Sequence, residues 1–447
     1  MRRVTPLVLL LLAFALLSVS EAPAQDRRAD DATAFVGVNV LPMTAGGEPV
    51  LEDRTVVVRG GEIATVGPAS EVTVPDPARR IDGDGRYLLP GLAEMHGHVP
   101  SPEDQPQYTK NVLMLYLANG VTTVRGMLGQ SGQLQLRERA NSGEIRSPTL
   151  YLAGPPFTGG SVESPDDARQ MVRRQHNAGW DFLKVLEGMT RAEYDAMAEV
   201  AQEVGIPFVG HVPNDVGLMR TLEAEQQTID HLDGYVPFVR GSDSSLSEER
   251  LRRAVRKTRE TNTWMVPTMA VWETLQGAVP LDTLTDYPEL KYLPPDQVRQ
   301  WTASHRKRRR ASDFDEAETQ RLIQNRTRIL RALHEGKAPI VFGTDSPQQF
   351  SVPGFSIHRE VKRLKRAGLT PYEILVTATR NVGQYLEDKD DFGTVEEGAR
   401  ADLILLEENP LEDLSRLTAR AGVMTRGRWL SDDAIQQRLQ KIAASYQ

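Results

Sequence analysis

Short apolar runs alternate with longer polar stretches through the middle of the chain. Eight of these runs have the length and composition of strands, at 92–98, 121–125, 149–155, 181–187, 207–212, 228–233, 264–271 and 340–345. Apolar residues in the intervening stretches have helical spacing, as in 108–119, 192–204 and 321–334. Eight strands separated by helices are typical of a (β/α)8 barrel, so the pattern predicts an α/β fold with such a barrel at residues 90–390.

A different, β-rich pattern flanks this alternation on both sides. The first part has strand-like runs at 34–41, 54–59 and 62–66, and Gly60-Gly61 between the last two predicts a hairpin. The same pattern returns at 401–406 and 423–429. We therefore expect a small β-sandwich domain built from both termini, at residues 32–89 and 391–430, followed by a C-terminal helix at 431–447.

One connection is much longer than the others. It follows the seventh predicted strand and covers residues 272–339. Insertions of this length after a barrel strand usually cover the active site, and we expect the same here.

The beginning of the chain has the composition of a secretory signal. Arg2 and Arg3 precede an apolar stretch at 7–17, and the small residues Ala22-Pro23-Ala24 follow. This predicts a signal peptide at residues 1–24, cleaved near Ala24, and a secreted or periplasmic protein without a stable membrane anchor. An uncleaved anchor is the less favoured alternative, because the stretch is shorter than the roughly 20 residues that span a bilayer.

Composition narrows the range of partners. The chain has 447 residues, no cysteine and a formal net charge of −8. The absence of cysteine excludes disulfides and a lipidated cysteine anchor. The acidic balance disfavours nucleic acid, so a small molecule or a dipeptide is the expected partner. The sequence leaves the oligomeric state open, a homo-oligomer included.

The candidate chemistry begins with His96-Gly97-His98 at the end of the first predicted barrel strand. Alternate strand residues point the same way, so the two imidazoles can chelate one metal ion. Further candidate ligands lie near the ends of other predicted strands, namely Lys184, His211, His231 and Asp345. Barrel enzymes place their active sites at these strand ends, so the pattern predicts a metal site. His176, His305 and His334 fall on helices or connections and are expected to be ordinary packing or surface histidines.

Longer motifs give these residues a family context. They are 90–98 (PGLAEMHGH), 182–184 (FLK), 210–212 (GHV), 229–231 (IDH), 343–346 (GTDS), 81–83 (IDG) and 393–403 (GTVEEGARADL). With these motifs the mature chain resembles the amidohydrolase superfamily, in the branch of prolidase-type dipeptidases and imidazolonepropionase-like enzymes. One departure is Gly126 after Arg125, where many relatives have an aspartate. The resemblance is therefore a weak guide to the loop that follows the second predicted barrel strand.

The resemblance implies a binuclear metal centre. His96, His98 and Asp345 would hold one divalent ion, and His211 and His231 the other. Lys184 would bridge them after carboxylation by carbon dioxide, since a free ammonium cannot bind a cation. Zinc is the default for such a histidine-rich site, although manganese, cobalt or iron would also fit. Alternatively, Lys184 forms an interior ion pair with Asp345, in which case a mononuclear site remains open.

The implied activity is metal-dependent hydrolysis of a C–N bond, in a dipeptide or an N-acyl amino acid, by a hydroxide that bridges the metals. Asp345 would be the catalytic residue that takes the proton and passes it to the leaving nitrogen. Hydrolysis of a cyclic amide or a lactone is the alternative enzyme function, and a binding module without chemistry is the non-enzyme alternative. Tyr235, four residues after His231, is expected to contact the substrate, with packing at the barrel rim as the other reading. His358 is expected to cap or pack the last barrel helix.

Overall fold

The computed structural model describes residues 32–240 and 245–447. The predicted signal peptide at residues 1–24 lies outside the described residues. Within the described ranges, no helix is long and apolar enough to cross a membrane.

The described residues form strands in three groups along the chain. The strands are β1 (Ala32–Val40), β2 (Leu51–Arg59), β3 (Glu62–Pro68), β4 (Ala78–Asp82), β5 (Tyr87–Pro90), β6 (Leu92–Gly97), β7 (Val121–Gly126), β8 (Thr149–Leu152), β9 (Leu183–Val185), β10 (Phe208–Gly210), β11 (Thr228–Asp230), β12 (Trp264–Val266), β13 (Leu403–Leu406), β14 (Arg420–Thr425) and β15 (Arg428–Ser431).

Helices separate most of the central strands and make up the long connection after β12. They are α1 (Pro106–Ala118), α2 (Gln133–Asn141), α3 (Pro165–Ala178), α4 (Arg191–Val204), α5 (Gly217–Glu223), α6 (Tyr235–Val239), α7 (Glu248–Glu260), α8 (Met269–Leu275), α9 (Leu281–Thr285), α10 (Pro295–Arg309), α11 (Glu316–Glu335), α12 (Ile357–Ala367), α13 (Pro371–Ala378), α14 (Arg380–Tyr385) and α15 (Asp432–Ala444), with 3-10 turns at Pro288–Tyr292 and Leu414–Thr418.

Strands from both ends of the chain pair in one eight-stranded sheet. Its order is β15-β14-β13-β5-β1-β2-β3, and β4 pairs with β1. The junction is antiparallel, with Leu403 of β13 opposite Pro90 of β5. Its apolar core combines early residues such as Phe35 and Val56 with late ones such as Leu405. Hydrogen bonds thus join the two termini in a single sheet, and its division into the two layers of a sandwich stays a prediction.

The central strands form two parallel sheets, β6-β7-β8 and β12-β11-β10-β9. Backbone hydrogen bonds connect these sheets on both sides. On one side Gly154 N donates to Phe182 O at 2.9 Å. On the other, Val341 N donates to Met265 O at 2.9 Å and Met95 N donates to Phe342 O at 2.8 Å. The segment at 340–346 therefore lies between β12 and β6, although it does not form the regular eighth strand that the sequence predicts.

Local signals explain where the helices begin and end. Thr190 and Glu193 form a capping box at the start of α4, with Glu193 N donating to Thr190 Oγ1 at 3.3 Å. Gly205 ends the same helix in the left-handed conformation, at φ +74°. The buried face of α4 packs with α3, β9 and β10 in one apolar cluster. Packing of this kind holds the strand ends in a fixed arrangement.

Candidate metal centre

Polar side chains from several strand ends meet in one cavity of about 460 Å³. It is lined by His96, His98, Met127, Leu128, Lys184, Leu186, Glu187, His211, His231, Asp233, Trp272, Leu275, Asp345 and Gln348. The structure therefore brings together all six residues that the sequence proposes as metal ligands. Of the described residues in the insertion at 272–339, Trp272 and Leu275 line this cavity.

Asp345 lies at the centre of the histidine cluster. Its Oδ1 is 2.6 Å from Nε2 of His98 and 3.6 Å from Nε2 of His96, and its Oδ2 is 4.0 Å from Nε2 of His231. Gln348 Nε2 donates to Oδ2 of Asp345 at 2.7 Å. The Nε2 atoms of three histidines thus converge on the carboxylate of Asp345.

The other ring nitrogen of three histidines faces an oxygen of a neighbouring side chain. Nδ1 of His211 is 2.7 Å from Oδ2 of Asp233, and Nδ1 of His231 is 2.6 Å from Oγ1 of Thr268. Nδ1 of His96 lies 3.1 Å from Oδ2 of Asp230, although the two atoms are not aligned as a hydrogen bond. A partner on Nδ1 orients the ring and leaves Nε2 as the nitrogen for a metal.

Lys184 pairs with Asp230 and not with Asp345. Its Nζ donates to Oδ2 of Asp230 at 3.2 Å, and both side chains are almost completely buried. The other carboxylate oxygen of Asp230 accepts from Thr228 Oγ1 at 3.0 Å and lies 3.4 Å from the guanidinium of Arg125. The expected alternative pair between Lys184 and Asp345 is therefore wrong in its partner. Asp230 therefore binds Lys184, whereas the carboxylate of Asp345 contacts the histidines.

Burial sets the protonation states of these groups. It lowers the pKa of His231 to about 3 and holds the pKa of His96 well below its ordinary value. Burial also lowers the pKa of Lys184, while the carboxylates of Asp230 and Asp345 act in the opposite sense. For Asp345 burial acts in the opposite sense, but the hydrogen bond with His98 and nearby positive charge bring its pKa below the ordinary value. Neutral imidazoles and an ionised carboxylate are the protonation states that a divalent cation needs.

Several of these positions have strained backbone. His231 has φ +57°, Asp345 has φ +58° and Thr268 has φ +43°, in the left-handed region that non-glycine residues rarely adopt. Strain of this kind persists only where surrounding contacts impose it, and it clusters at functional sites. Of these three residues, His231 and Asp345 line the cavity, and Thr268 contacts the ring of His231.

Ligand-capable atoms form two groups in the cavity. Those of His96, His231 and Asp345 lie within 4.8 Å of one another, and so do those of Glu187, His211 and Asp233. The first group is buried, whereas Glu187 in the second is exposed. The sequence analysis expected His231 to share a metal ion with His211. In the structure its ligand atom instead lies close to those of His96 and Asp345.

The predicted substrate contact of Tyr235 is wrong. Its side chain is fully buried, and its hydroxyl bonds with Thr258 Oγ1 and Met265 Sδ at 2.5 Å and 3.2 Å. Tyr235 is the first residue of the short helix α6, and this turn directs the ring into the apolar core. It packs in the interior and does not line the cavity.

Sequence reasoning did not assign a role to several residues that hold the site. Asp230 and Asp233 flank His231 in the chain, so their position at the same strand end was the available signal. Thr268 and Gln348 lie on loops, where no spacing rule connects them to a histidine or to Asp345. These side chains orient the candidate ligands.

A family model described as the amidohydrolase family matches residues 87–430. The chain belongs to this family. The match covers both parallel sheets and every candidate ligand, and it confirms the resemblance read from the motifs.

Solved structures and a curated relative extend this comparison. A bottromycin amidohydrolase superposes with a TM-score of 0.75 at 26% identity, covering 94% of this chain and 91% of that one. A Xaa-Pro dipeptidase with methionine bound in its active site superposes with a TM-score of 0.68 at 21% identity, covering 90% and 100%. The latter shows a shared fold alone.

The adenine deaminase of Rubrobacter xylanophilus is 30% identical over 138 residues, which are 30% of this chain and 23% of that protein. The chain spans less than a third of the length of the first curated relatives that it matches.

Proposed function

We propose that the chain is a metal-dependent hydrolase that cleaves a C–N bond in a dipeptide or an N-acyl amino acid. The observation that carries this proposal is the convergence of His96, His98 and His231 on Asp345 inside a cavity large enough for a small ligand. Family membership supports the same class of reaction.

The donor set fits divalent metal ions. Nε2 atoms of the buried His96 and His231 and of the partly exposed His98 face the carboxylate of Asp345. In the proposed arrangement His96, His98 and Asp345 hold one ion, and His211 and His231 hold a second. When bound, such ions activate a water molecule as a nucleophile near neutral pH and polarise the substrate carbonyl. Zinc is the default choice for this set.

Lys184 is proposed as the bridging ligand after carboxylation. Lys184 first gives up one ammonium proton to water, and the freed lone pair forms a bond to the carbon of carbon dioxide as one C–O π bond opens to an oxyanion. The nitrogen then gives up a second proton to water, which leaves a carbamate. One N–H remains, and Asp230 accepts a hydrogen bond from the Nζ donor at 3.2 Å in the present structure. The new carboxylate then supplies two oxygens toward the cavity that Lys184 lines.

Asp345 is the proposed proton carrier. Its carboxylate takes a proton from the attacking water and donates it to the leaving nitrogen, so that the amine departs neutral. The hydrogen bond from Gln348 and the contact with His98 fix the orientation of the carboxylate for this transfer.

Two further features belong to the same proposal. The two parallel sheets and the segment at 340–346 would form the closed (β/α)8 barrel whose strand ends present the site. The basic and apolar start of the chain would export the protein to the periplasm or beyond.

The deciding experiment measures amino acid release from a panel of dipeptides and N-acyl amino acids by the mature, zinc-loaded protein. A chelator-treated sample is the control. We expect release that depends on metal. If metal is bound but no member of the panel is cleaved, cyclic amides and lactones become the substrates to test.

A further inference from the structure

Four apolar side chains line the cavity and do not belong to the apolar core. Leu128 follows β7, Leu186 follows β9, and Trp272 and Leu275 lie on α8. Each is partly exposed, and none belongs to the hydrophobic clusters found among the described residues. We call these four residues the apolar wall. Apolar groups gathered in a concave site and left partly exposed mark a surface that a ligand covers.

The tryptophan of the apolar wall is held in place. The guanidinium of Arg326, on α11, lies 3.7 Å from the centre of the Trp272 ring. The same buried guanidinium donates to the carbonyl oxygen of His231. The contact between arginine and ring stabilises one position of Trp272 and ties it to the backbone of the candidate metal centre. Trp272 is therefore preorganised, which lowers the entropy that binding would otherwise lose.

The charged side chains that line the cavity disfavour an anionic group at the apolar wall. Glu187, Asp233 and Asp345 line the cavity with negative charge. Among the described lining residues Lys184 is the one lysine or arginine, and it pairs with Asp230. A carboxylate would find its attractive partners at the candidate metal centre, whereas against the apolar wall it would lose its hydration to hydrocarbon. The apolar wall is therefore suited to an uncharged group.

We propose that the substrate carries a bulky, uncharged apolar group, of the size of a phenyl ring or a branched aliphatic chain, that packs on the apolar wall. This inference rests on the proposed function, because it places the scissile C–N bond at the candidate metal centre. The cavity of about 460 Å³ accommodates a ligand of dipeptide size with one such group.

Two matched substrate pairs test the inference on either side of the scissile bond. N-acetylalanine and N-phenylacetylalanine differ on the acyl side, whereas alanyl-glycine and alanyl-phenylalanine differ on the amine side. We expect kcat/KM to favour the aromatic member about tenfold to a hundredfold in at least one pair, which is the effect of burying one such group. Equal values within both pairs would overturn the inference and leave the hydrolase proposal intact.

Substitutions in the apolar wall make the test specific. Leu275→Ala and Trp272→Ala should each remove most of the aromatic advantage, and Trp272→Phe should retain it. Trp272→Ala also uncovers Arg326. If Trp272→Ala misfolds for this reason, Leu275→Ala becomes the deciding variant. Leu281→Ala is the matched control, because Leu281 is a partly buried leucine of the same insertion that packs in a core cluster. An aromatic advantage that survives Leu275→Ala would contradict the inference.

A binding measurement covers the case in which no member of either pair is cleaved. Ligand-observed NMR then compares phenylacetamide with acetamide on the metal-loaded protein. We expect binding of phenylacetamide that weakens in Leu275→Ala but not in Leu281→Ala. Equal signals for the two amides would overturn the apolar-wall inference, whereas a missing turnover alone counts against the hydrolase proposal.

Discussion

Nζ of Lys184 and Oδ2 of Asp230 lie 3.2 Å apart beneath the candidate metal centre. The same Oδ2 atom of Asp230 lies 3.1 Å from Nδ1 of His96. One buried carboxylate therefore contacts the proposed bridging lysine and a proposed histidine ligand, on the side away from Nε2 of that histidine. This arrangement lets Asp230 orient both groups while Asp345 remains available for metal and proton transfer.

Replacing Asp345 by asparagine should abolish turnover. The amide keeps the shape of the side chain but cannot accept the proton from the attacking water, and it is a poor metal ligand. We expect kcat to fall by at least about a hundredfold, within the range for loss of a general acid or base. Steady-state kinetics with measured metal content provides the check, with Asp391→Asn, an exposed aspartate, as the control. Near-native turnover in Asp345→Asn would refute the assigned role.

Replacing Lys184 by methionine should reduce the bound metal from two ions to one. Methionine fills a similar volume without a nitrogen that can be carboxylated, and it leaves the site without a bridging ligand. We expect activity to fall by about a hundredfold or more, as for the loss of a group that organises a metal site. Metal analysis after gel filtration measures the stoichiometry, and the exposed Lys110→Met is the control. Two ions per chain and unchanged activity in Lys184→Met would rule out the bridge.

Replacing Asp230 by asparagine should destabilise the fold. The change leaves the buried charges of Lys184 and Arg125 without a counter-charge, and breaking a buried pair in this way costs about 3–5 kcal/mol. Denaturant unfolding of the metal-free protein measures the loss. The surface pair of the exposed Asp313 with the partly buried Arg308 provides the control, since Asp313→Asn should cost no more than about 1 kcal/mol.

The double variant Asp230→Asn/Lys184→Met distinguishes a charge effect from a packing effect. If the loss comes from an unpaired ammonium, removing Lys184 should restore part of the stability. If the double variant is as unstable as the sum of the two single variants, the ion pair is not the cause.

Because of Glu360, the free energy of unfolding should fall as pH rises toward neutrality. Its carboxylate accepts from Met269 N and Ala270 N at 2.8 Å each, and burial raises its pKa from 4.5 to about 7. The folded state therefore binds a proton more tightly than the unfolded state between these two values. The stabilisation is complete below the unfolded value and is lost as pH rises through the folded value. At about 1.4 kcal/mol per pKa unit, the loss is of order 3 kcal/mol.

Unfolding free energies of wild type and Glu360→Gln at pH 5 and pH 8 measure this contribution. The difference between the two proteins should change across the interval, while Glu335→Gln, an exposed glutamate on α11, should follow wild type. Parallel profiles for wild type and Glu360→Gln would contradict the prediction.

The candidate ligands could be predicted because each one lies in or near the end of a strand-like run. The predicted strand at 92–98 corresponds to β6 (Leu92–Gly97), and the run at 228–233 contains β11 (Thr228–Asp230). In parallel sheets the carboxyl ends of strands meet at one edge, so residues distant in sequence are brought together. The local pattern therefore carried the information needed for His96 and His231.

Contacts across the strand ends could not be predicted from local pattern. The approach of Asp230 to His96 depends on how β11 and β6 face each other, and neither run encodes this distance. The prediction for Tyr235 failed for a related reason, since the direction of its ring depends on a helix that is only five residues long. The predicted eighth strand forms only isolated bridges, from Ile340 to Met265 and from Ser346 to Gly97. Asp345, between them, has φ +58°, which an extended strand does not allow.

The shared sheet of the two termini makes the early strands depend on the late ones for folding. Strand β5 has one neighbour, β1, among the early residues, and its other neighbour is β13 at Leu403–Leu406. Until that late segment pairs with β5, the apolar edge at Leu88 and Leu89 has no strand on that side. An open strand edge is a site of aggregation. Chains truncated before residue 403 should therefore aggregate more readily than the full chain.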